Sequence, residues 1–149
     1  MSTLTAIHRM VEDCRRGVHT SLVARLESGW VIMAERQVLR GYCLLLPDPV
    51  VAHLNALQGA DRGRFLADMS HVGDALLELT GAVRINYAIY GNLEPALHAH
   101  VFPRFADEPL DQRSAQPWAL DWHAAPAWSE AAHGALRRQL AAALGRVAS

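Results

Sequence analysis

The segment from residue 61 to residue 80 constrains the fold of this chain more than any other. Its apolar residues recur every three or four positions, which is the spacing of one buried face of an α-helix. These residues are Phe65, Met69, Val72, Leu76 and Leu79. Asp61 is placed to cap the start of the helix, and Gly81 is placed to close its end. A helix of this length needs another element to cover its apolar face.

Short runs that favour β-strands lie on both sides of this helix. Residues 22–27 and 30–35 predict a hairpin that turns at Ser28-Gly29, and residues 42–46 predict a third strand that ends at Pro47. After the helix, residues 83–90 and 97–102 predict two more strands, joined by a turn at 91–95. The long helix therefore divides a set of about five short strands.

Amphipathic helices are predicted near both ends of the chain. Leu4, Ile7, Val11 and Cys14 share one face of a first helix that ends near Gly17. Ser129 is placed to cap a final helix, after an ordered loop at 103–128; its apolar face is formed by Ala132, Leu136, Leu140 and Leu144. This order predicts an α+β fold with an antiparallel sheet, one long helix and terminal helices. We expect one domain over 1–149, with a loop and helix in 106–149.

Composition narrows the class of protein. The 149 residues suit one domain with a sizeable core, and 51% of them are hydrophobic. A formal net charge of -1 argues against a nucleic acid polymer as partner. The chain has no uninterrupted apolar run long enough to predict membrane insertion, and its first residues lack the pattern of a secretion signal. Its two cysteines, Cys14 and Cys43, lie far apart and form no CxxC pair. Because no secretion signal is recognised, we expect a cytoplasmic protein without a disulfide.

Two histidines in the last predicted strand are the strongest candidates for chemistry. Side chains alternate between the two faces of a strand, so Leu97, Ala99 and Val101 are expected to face the core. His98 and His100 then point together to the opposite face. Two imidazoles on an apolar strand are costly to bury without partners, which favours a functional role over a structural one.

The stretch 91–104 resembles the signature of the histidine-triad (HIT) family, in which three histidines alternate with apolar residues and a Pro-Arg often follows. Aligning on Pro103-Arg104 places His98 on the family's nucleophilic histidine and His100 on its last one. Ala96 stands at the position of the first histidine. Asn92 matches a glutamine that contacts phosphate in the family, and Tyr42 stands where a fourth histidine often lies. The resemblance spans the predicted strands and long helix, with its signature region at 83–105.

The resemblance implies a nucleotide hydrolase or nucleotidyl transferase that acts at the α-phosphate of a dinucleoside polyphosphate or a nucleoside phosphoramidate. His98 would form a covalent nucleotidyl intermediate, with its second ring nitrogen held by a backbone carbonyl that Ala96 is able to supply. His100 and Asn92 would donate hydrogen bonds to the phosphate or the leaving group. The resemblance also implies a homodimer and a covalent step without a metal cofactor, with Mg²⁺ on the substrate phosphates as an optional aid.

Other residues have both a functional and a structural interpretation. Arg104 is a candidate phosphate ligand or a surface ion-pair partner, and Asn86 is a candidate substrate contact or a residue that ties a turn. Tyr42 is expected either to line the pocket or to pack. Three tryptophans are expected to anchor the loop rather than to stack on a base; they are Trp118, Trp122 and Trp128.

Two other functions compete with this interpretation. The missing histidines at Ala96 and Tyr42 are compatible with a nucleotide sensor that binds without turnover. His98 and His100 are also able to supply two ligands to a metal, with Glu94 or His123 as the third ligand.

Overall fold

The computed structural model describes residues 4–148. Within them, three α-helices span Ala6–Arg15 (α1), Gly59–Thr80 (α2) and Glu130–Ala148 (α3). Five strands span Leu22–Arg25 (β1), Gly29–Met33 (β2), Cys43–Pro47 (β3), Arg84–Ala88 (β4) and Ala99–Arg104 (β5). Single 3-10 turns lie at Leu54–Ala56 and Pro117–Ala119. The domain predicted over 1–149 also includes residues 1–3 and 149, which lie outside the described residues.

The strands form one antiparallel sheet in the order β1-β2-β3-β5-β4, which confirms the predicted α+β fold with five strands. The last strand in the chain lies inside the sheet, because β5 pairs with both β3 and β4. His100 consequently lies between Leu44 on one side and Ala88 on the other. The paired strands hold the backbone on both sides of this histidine.

Alternation along the strands gives the sheet two different faces. One face packs against α2 and α3 in a core that includes Cys43, Leu45, Ala99 and Val101. The opposite face packs against α1 and part of the loop after β5; its residues include Tyr42, Leu44, Leu46 and Phe102. The predicted face of the final helix is buried at Leu136, Leu140 and Leu144, although Ala132 is exposed. Both cysteines are buried and free.

The ends of the helices differ in part from the prediction. α2 begins at Gly59 after Gln58, so Asp61 lies in its first turn and is not the cap that we expected. The predicted C-terminal end is confirmed, because Gly81 has a positive φ of 75°, which glycine adopts without steric cost. The Ser129 side chain accepts a hydrogen bond from the backbone N–H of Ala132, as expected for the cap of α3. Among residues 4–148, no helix combines the length and the apolarity needed to cross a membrane.

The first hairpin turns earlier than predicted. The backbone N–H of Leu26 donates to the carbonyl of Gly29 across the turn, and Gly29 already pairs with Pro47 as part of β2. A Cβ atom on Gly29 would lie 1.9 Å from the carbonyl oxygen of Leu46. Glycine is therefore needed here for the close approach of β2 to β3 and not for the geometry of the turn. β5 also differs from the prediction, since it continues through Arg104 where a loop was expected.

Candidate active site

His98 and His100 lie together on the face of the sheet that α2 and α3 do not cover, as the alternation predicts. Leu97, Ala99 and Val101 belong to the opposite core. The centroids of the two imidazole rings are 4.9 Å apart and the rings are tilted by 69°. His98 immediately precedes β5, and the backbone N–H of Leu97 is held by the carbonyl of Val51 at 2.8 Å. The segment that carries His98 is thus fixed before the strand begins.

One hydrogen bond determines which ring nitrogen of His98 carries the proton. Nδ1 of His98 lies 2.8 Å from the backbone carbonyl oxygen of Ala96. A carbonyl oxygen only accepts hydrogen bonds, so Nδ1 must be the protonated nitrogen and Nε2 keeps its lone pair. This is the carbonyl contact that the resemblance implies, and Ala96 makes it without a histidine side chain. The Ala96 side chain itself is buried in the core beside α1.

His100 is enclosed by aromatic rings. Its ring is nearly parallel to Phe102, with centroids 5.9 Å apart, and Trp118 meets it edge-on at 4.9 Å. Burial, with a smaller contribution from neighbouring His98, lowers the pKa of His100 to about 4. At neutral pH His100 is therefore uncharged, and it can contribute to a site only as a neutral donor or acceptor.

Tyr42 does not line the pocket, which was one of its two expected roles. Its side chain is buried, its ring stacks on Phe102 with centroids 4.1 Å apart, and its hydroxyl lies 2.7 Å from Nδ1 of His100. Tyr42 therefore contacts the histidine from behind, on the side away from solvent.

The histidines open onto a surface pocket of about 370 Å³. Asn92 lies at its rim with an exposed side chain, and the structure gives that amide no hydrogen-bond partner among residues 4–148. Tyr90 and Trp118 form an aromatic wall, with ring centroids 5.0 Å apart in an edge-to-face arrangement. The remaining lining residues are Gly91, Leu93, Glu94 and Gln116. Glu94 is the one charged side chain in this set, and its Oε2 accepts a hydrogen bond from the backbone N–H of Ala6.

Arg104 has a different role from the predicted phosphate contact. Its guanidinium is buried, and each of its five N–H donors has an acceptor within the protein. These acceptors are the carboxylate of Glu108, Oδ1 of Asn86 and the carbonyls of Gln112 and Ala115. No donor is left for a phosphate. Asn86 is engaged by Arg104, and neither residue lines the histidine pocket; both border a neighbouring pocket of about 360 Å³. Arg104 and Asn86 therefore hold the loop after β5, which corrects the substrate contacts expected for them.

The tryptophans divide between the two roles considered for them. The Nε1–H of Trp122 donates to the carbonyl of Pro117, which fixes the loop as expected. Trp118 is 44% exposed and lines the pocket, so its ring remains available to a ligand.

The sequence analysis did not identify Tyr90 and Gln116 as residues of the pocket. Tyr90 directly precedes the predicted turn at Gly91, which was an available signal, but nothing in the sequence near Gln116 indicates the site.

Glu94, one of the two third ligands considered for a metal, lines the same pocket as the histidines, but its Oε2 already accepts a hydrogen bond from the Ala6 N–H. Among the described residues 4–148, no group of three or more His, Cys, Asp or Glu side chains is placed to hold a metal ion. A larger pocket of about 480 Å³ lies elsewhere and is lined by Glu27, Asp48, Asp61 and Arg64, among others. That pocket contains no histidine, and the hydroxyl of Ser28 in its lining donates to the Asp68 carboxylate, so the two histidines make the smaller pocket the candidate active site.

Solved structures that are similar to this chain include several histidine-triad proteins. They include a histidine triad protein from Bradyrhizobium japonicum (23% identity, TM-score 0.69, covering 91% of this chain and 95% of that one). Another, from Marinobacter aquaeolei VT8, has 17% identity and a TM-score of 0.76, and covers 98% of this chain and 100% of that one. A third, from Sulfolobus tokodaii strain7, is described as a hypothetical histidine triad nucleotide-binding protein, with 14% identity, a TM-score of 0.71 and 93% coverage of both chains.

No family model matches the chain, and no curated protein matches it. At these identities the structural matches establish the fold, which is the histidine-triad fold. The chain therefore has a HIT-like fold, and the sequence resemblance aligns Ala96 with the family's first histidine and Tyr42 with a position where a fourth histidine often lies.

Proposed function

We propose that this protein binds a nucleotide at the histidine pocket and hydrolyses or transfers its nucleotidyl group through Nε2 of His98. The observation that carries the proposal is the 2.8 Å contact between Nδ1 of His98 and the carbonyl of Ala96. It leaves a lone pair on the other nitrogen of a half-buried imidazole beside a ligand-sized pocket. A neutral imidazole with a defined tautomer is a competent nucleophile near pH 7.

The proposed reaction has two steps. Nε2 of His98 attacks the α-phosphorus, the bond to the leaving group breaks, and the leaving group departs with the electron pair and takes a proton from solvent. The imidazolium that results keeps its Nδ1 proton, and the carbonyl of Ala96 stabilises that charge through the existing hydrogen bond. Water or another acceptor then attacks phosphorus, the P–N bond electrons return to Nε2, and the proton of the attacking group is released.

Neutral groups support phosphate binding in this pocket. The amide of Asn92 is free to donate to an oxygen of the substrate, and the amide of Gln116 lies in the same lining. Tyr90 and Trp118 offer ring faces to a base, since stacking on aromatic side chains tolerates any base. The Sulfolobus tokodaii neighbour is itself described as nucleotide-binding.

The charge of the pocket favours one of the two substrate classes. A chain of phosphates carries several negative charges, whereas the lining contains Glu94 and neither lysine nor arginine. The carboxylate of Glu94, with no cationic side chain beside it in the lining, disfavours a polyphosphate more than it disfavours a substrate with a leaving amine. We therefore expect nucleoside phosphoramidates to be turned over faster than dinucleoside polyphosphates.

The proposed homodimer and the metal-free covalent step follow from the family resemblance. We propose a homodimer, which light scattering during size-exclusion chromatography measures directly, and a cytoplasmic location. The covalent step uses no resident metal, so activity toward phosphoramidates is expected to persist in EDTA. A rate increase on adding Mg²⁺ would indicate assistance at the substrate phosphates.

The test is intact-protein mass spectrometry after brief incubation with adenosine phosphoramidates and dinucleoside polyphosphates. The wild type is compared with His98→Ala and with His71→Ala, which removes a histidine from α2, a helix that packs on the opposite face of the sheet. We expect an acid-labile nucleotidyl adduct on the wild type and on His71→Ala, and none on His98→Ala. Product formation that survives His98→Ala would refute the nucleophile. Binding without adduct or product would instead support the sensor function.

A further inference from the structure

The Tyr42 side chain makes a hydrogen-bonded contact with His100. Its hydroxyl lies 2.7 Å from Nδ1 of His100, at the position where the pattern often has a histidine. Its ring is stacked on Phe102 and meets Trp122 edge-on at 5.8 Å, so the phenol is held in place by packing. A hydrogen bond of this length between two enclosed side chains has a direction, and that direction determines the tautomer of His100.

The direction of the hydrogen bond between Tyr42 and His100 follows from the donors and acceptors that each side chain carries. If Nδ1 of His100 were protonated and donated to the phenol oxygen, the hydroxyl hydrogen of Tyr42 would need a different acceptor. Among residues 4–148 the structure gives this hydroxyl no partner except His100. Leaving a buried O–H unpaired costs about 1–3 kcal/mol, so the phenol donates and Nδ1 accepts. Burial raises the pKa of Tyr42, so the phenol keeps its hydrogen at any physiological pH.

We propose that Tyr42 is a positioning residue that holds His100 as the Nε2–H tautomer, opposite to the Nδ1–H tautomer of His98. The pocket then receives a lone pair from His98 and an N–H donor from His100, side by side. This inference rests on the proposed function for its catalytic consequence, but the two tautomers are properties of the free protein.

Opposite tautomers suit the reaction proposed for this site. An oxygen of the substrate phosphate is an acceptor, so it is attracted by the N–H of His100 and would be repelled by a second lone pair. The low pKa of His100 means that this donor works without a positive charge. In this arrangement Tyr42 fixes the direction of a neutral N–H donor on His100.

The first arm of the test is the long-range ¹H–¹⁵N spectrum of the histidine rings at neutral pH. Protonated and unprotonated ring nitrogens resonate far apart, and the His98→Ala and His100→Gln variants assign the two residues. We expect a proton on Nδ1 of His98 and on Nε2 of His100 in the wild type. A proton on Nδ1 of His100 would overturn the proposal, whether or not the protein turns over any nucleotide and without any variant of Tyr42 having to fold.

The second arm is Tyr42→Phe, with Tyr87→Phe as the matched control on β4, outside the histidine pocket. Loss of one hydroxyl is expected to convert the single His100 tautomer into a mixture and to lower kcat by about tenfold, with a smaller change in KM. The control is expected to change neither. An unchanged His100 tautomer in Tyr42→Phe would show that Tyr42 does not set it. If the tautomers are as expected but no substrate is turned over, the proposed function fails and the positioning role stands.

Discussion

Replacing Arg104 by methionine is expected to destabilise the protein strongly, because this side chain is the centre of a buried polar cluster. The side chains of Arg104 and Glu108 are 8% and 9% exposed, and Nη2 of Arg104 lies 2.8 Å from Oε1 of Glu108. Burial alone would raise the pKa of the Glu108 carboxyl, but hydrogen bonds from Arg104 and from the Phe105 N–H, with the charge of Arg104, together hold it below its usual value. The substitution therefore removes the hydrogen-bond donors of a buried carboxylate and of two loop carbonyls.

The expected magnitude comes from the burial of this pair. Removing one partner of a buried ion pair costs about 3–5 kcal/mol. Glu108 keeps the hydrogen bond from the Phe105 N–H, so we expect the lower end, about 3 kcal/mol. Arg104→Lys keeps the charge but cannot reproduce the planar fork that reaches Glu108, Asn86 and two carbonyls, so it is expected to lose roughly half as much.

Urea unfolding followed by tryptophan fluorescence measures this loss, with Arg113→Met as the control. Arg113 lies in the same loop but is exposed and donates one hydrogen bond, from Nε to the carbonyl of Glu108. The control is expected to change the free energy of unfolding by less than about 1 kcal/mol. The reasoning is refuted if Arg104→Met costs no more than Arg113→Met. It is also refuted if a Glu108→Gln double-mutant cycle finds no coupling between the two side chains.

Three further predictions concern the sheet, the pocket and pH. Gly29→Ala is expected to cost about 2 kcal/mol or more, because the new methyl would overlap the carbonyl of Leu46, and an unchanged melting temperature would contradict this. Trp118→Ala is expected to weaken AMP binding in calorimetry by about tenfold while stability changes little, since the ring is 44% exposed; equal affinity would exclude stacking on this ring. His100 has a folded pKa of about 4, below its ordinary value, so its contribution to stability is complete above about pH 6.5 and is lost as pH falls toward 4. Between these pH values the wild type should lose about 1–3 kcal/mol more than His100→Asn in urea titrations, and parallel curves would argue against a buried neutral imidazole.

Local patterns were enough to predict most of the fold. The stripe of α2 and the closing glycine Gly81 are set by the periodicity and backbone preferences of nearby residues, and both are found as predicted. The errors lie at the ends of elements. The side chain of Asp61 suits a helix cap, but the helix starts two residues earlier, at Gly59. β5 continues through Pro103 because β4 pairs with it, which no local pattern reveals.

The sequence by itself determined that His98 and His100 share one face of a strand, because side chains along a strand point alternately to its two faces. Only the tertiary structure decided what each candidate touches. Arg104 finds its acceptors in a loop that folds back on it, Tyr42 reaches His100 from 58 positions away, and Trp118 is brought to the pocket by that same loop. Such contacts depend on the packing of distant segments, so residue type alone left two roles open for each of them.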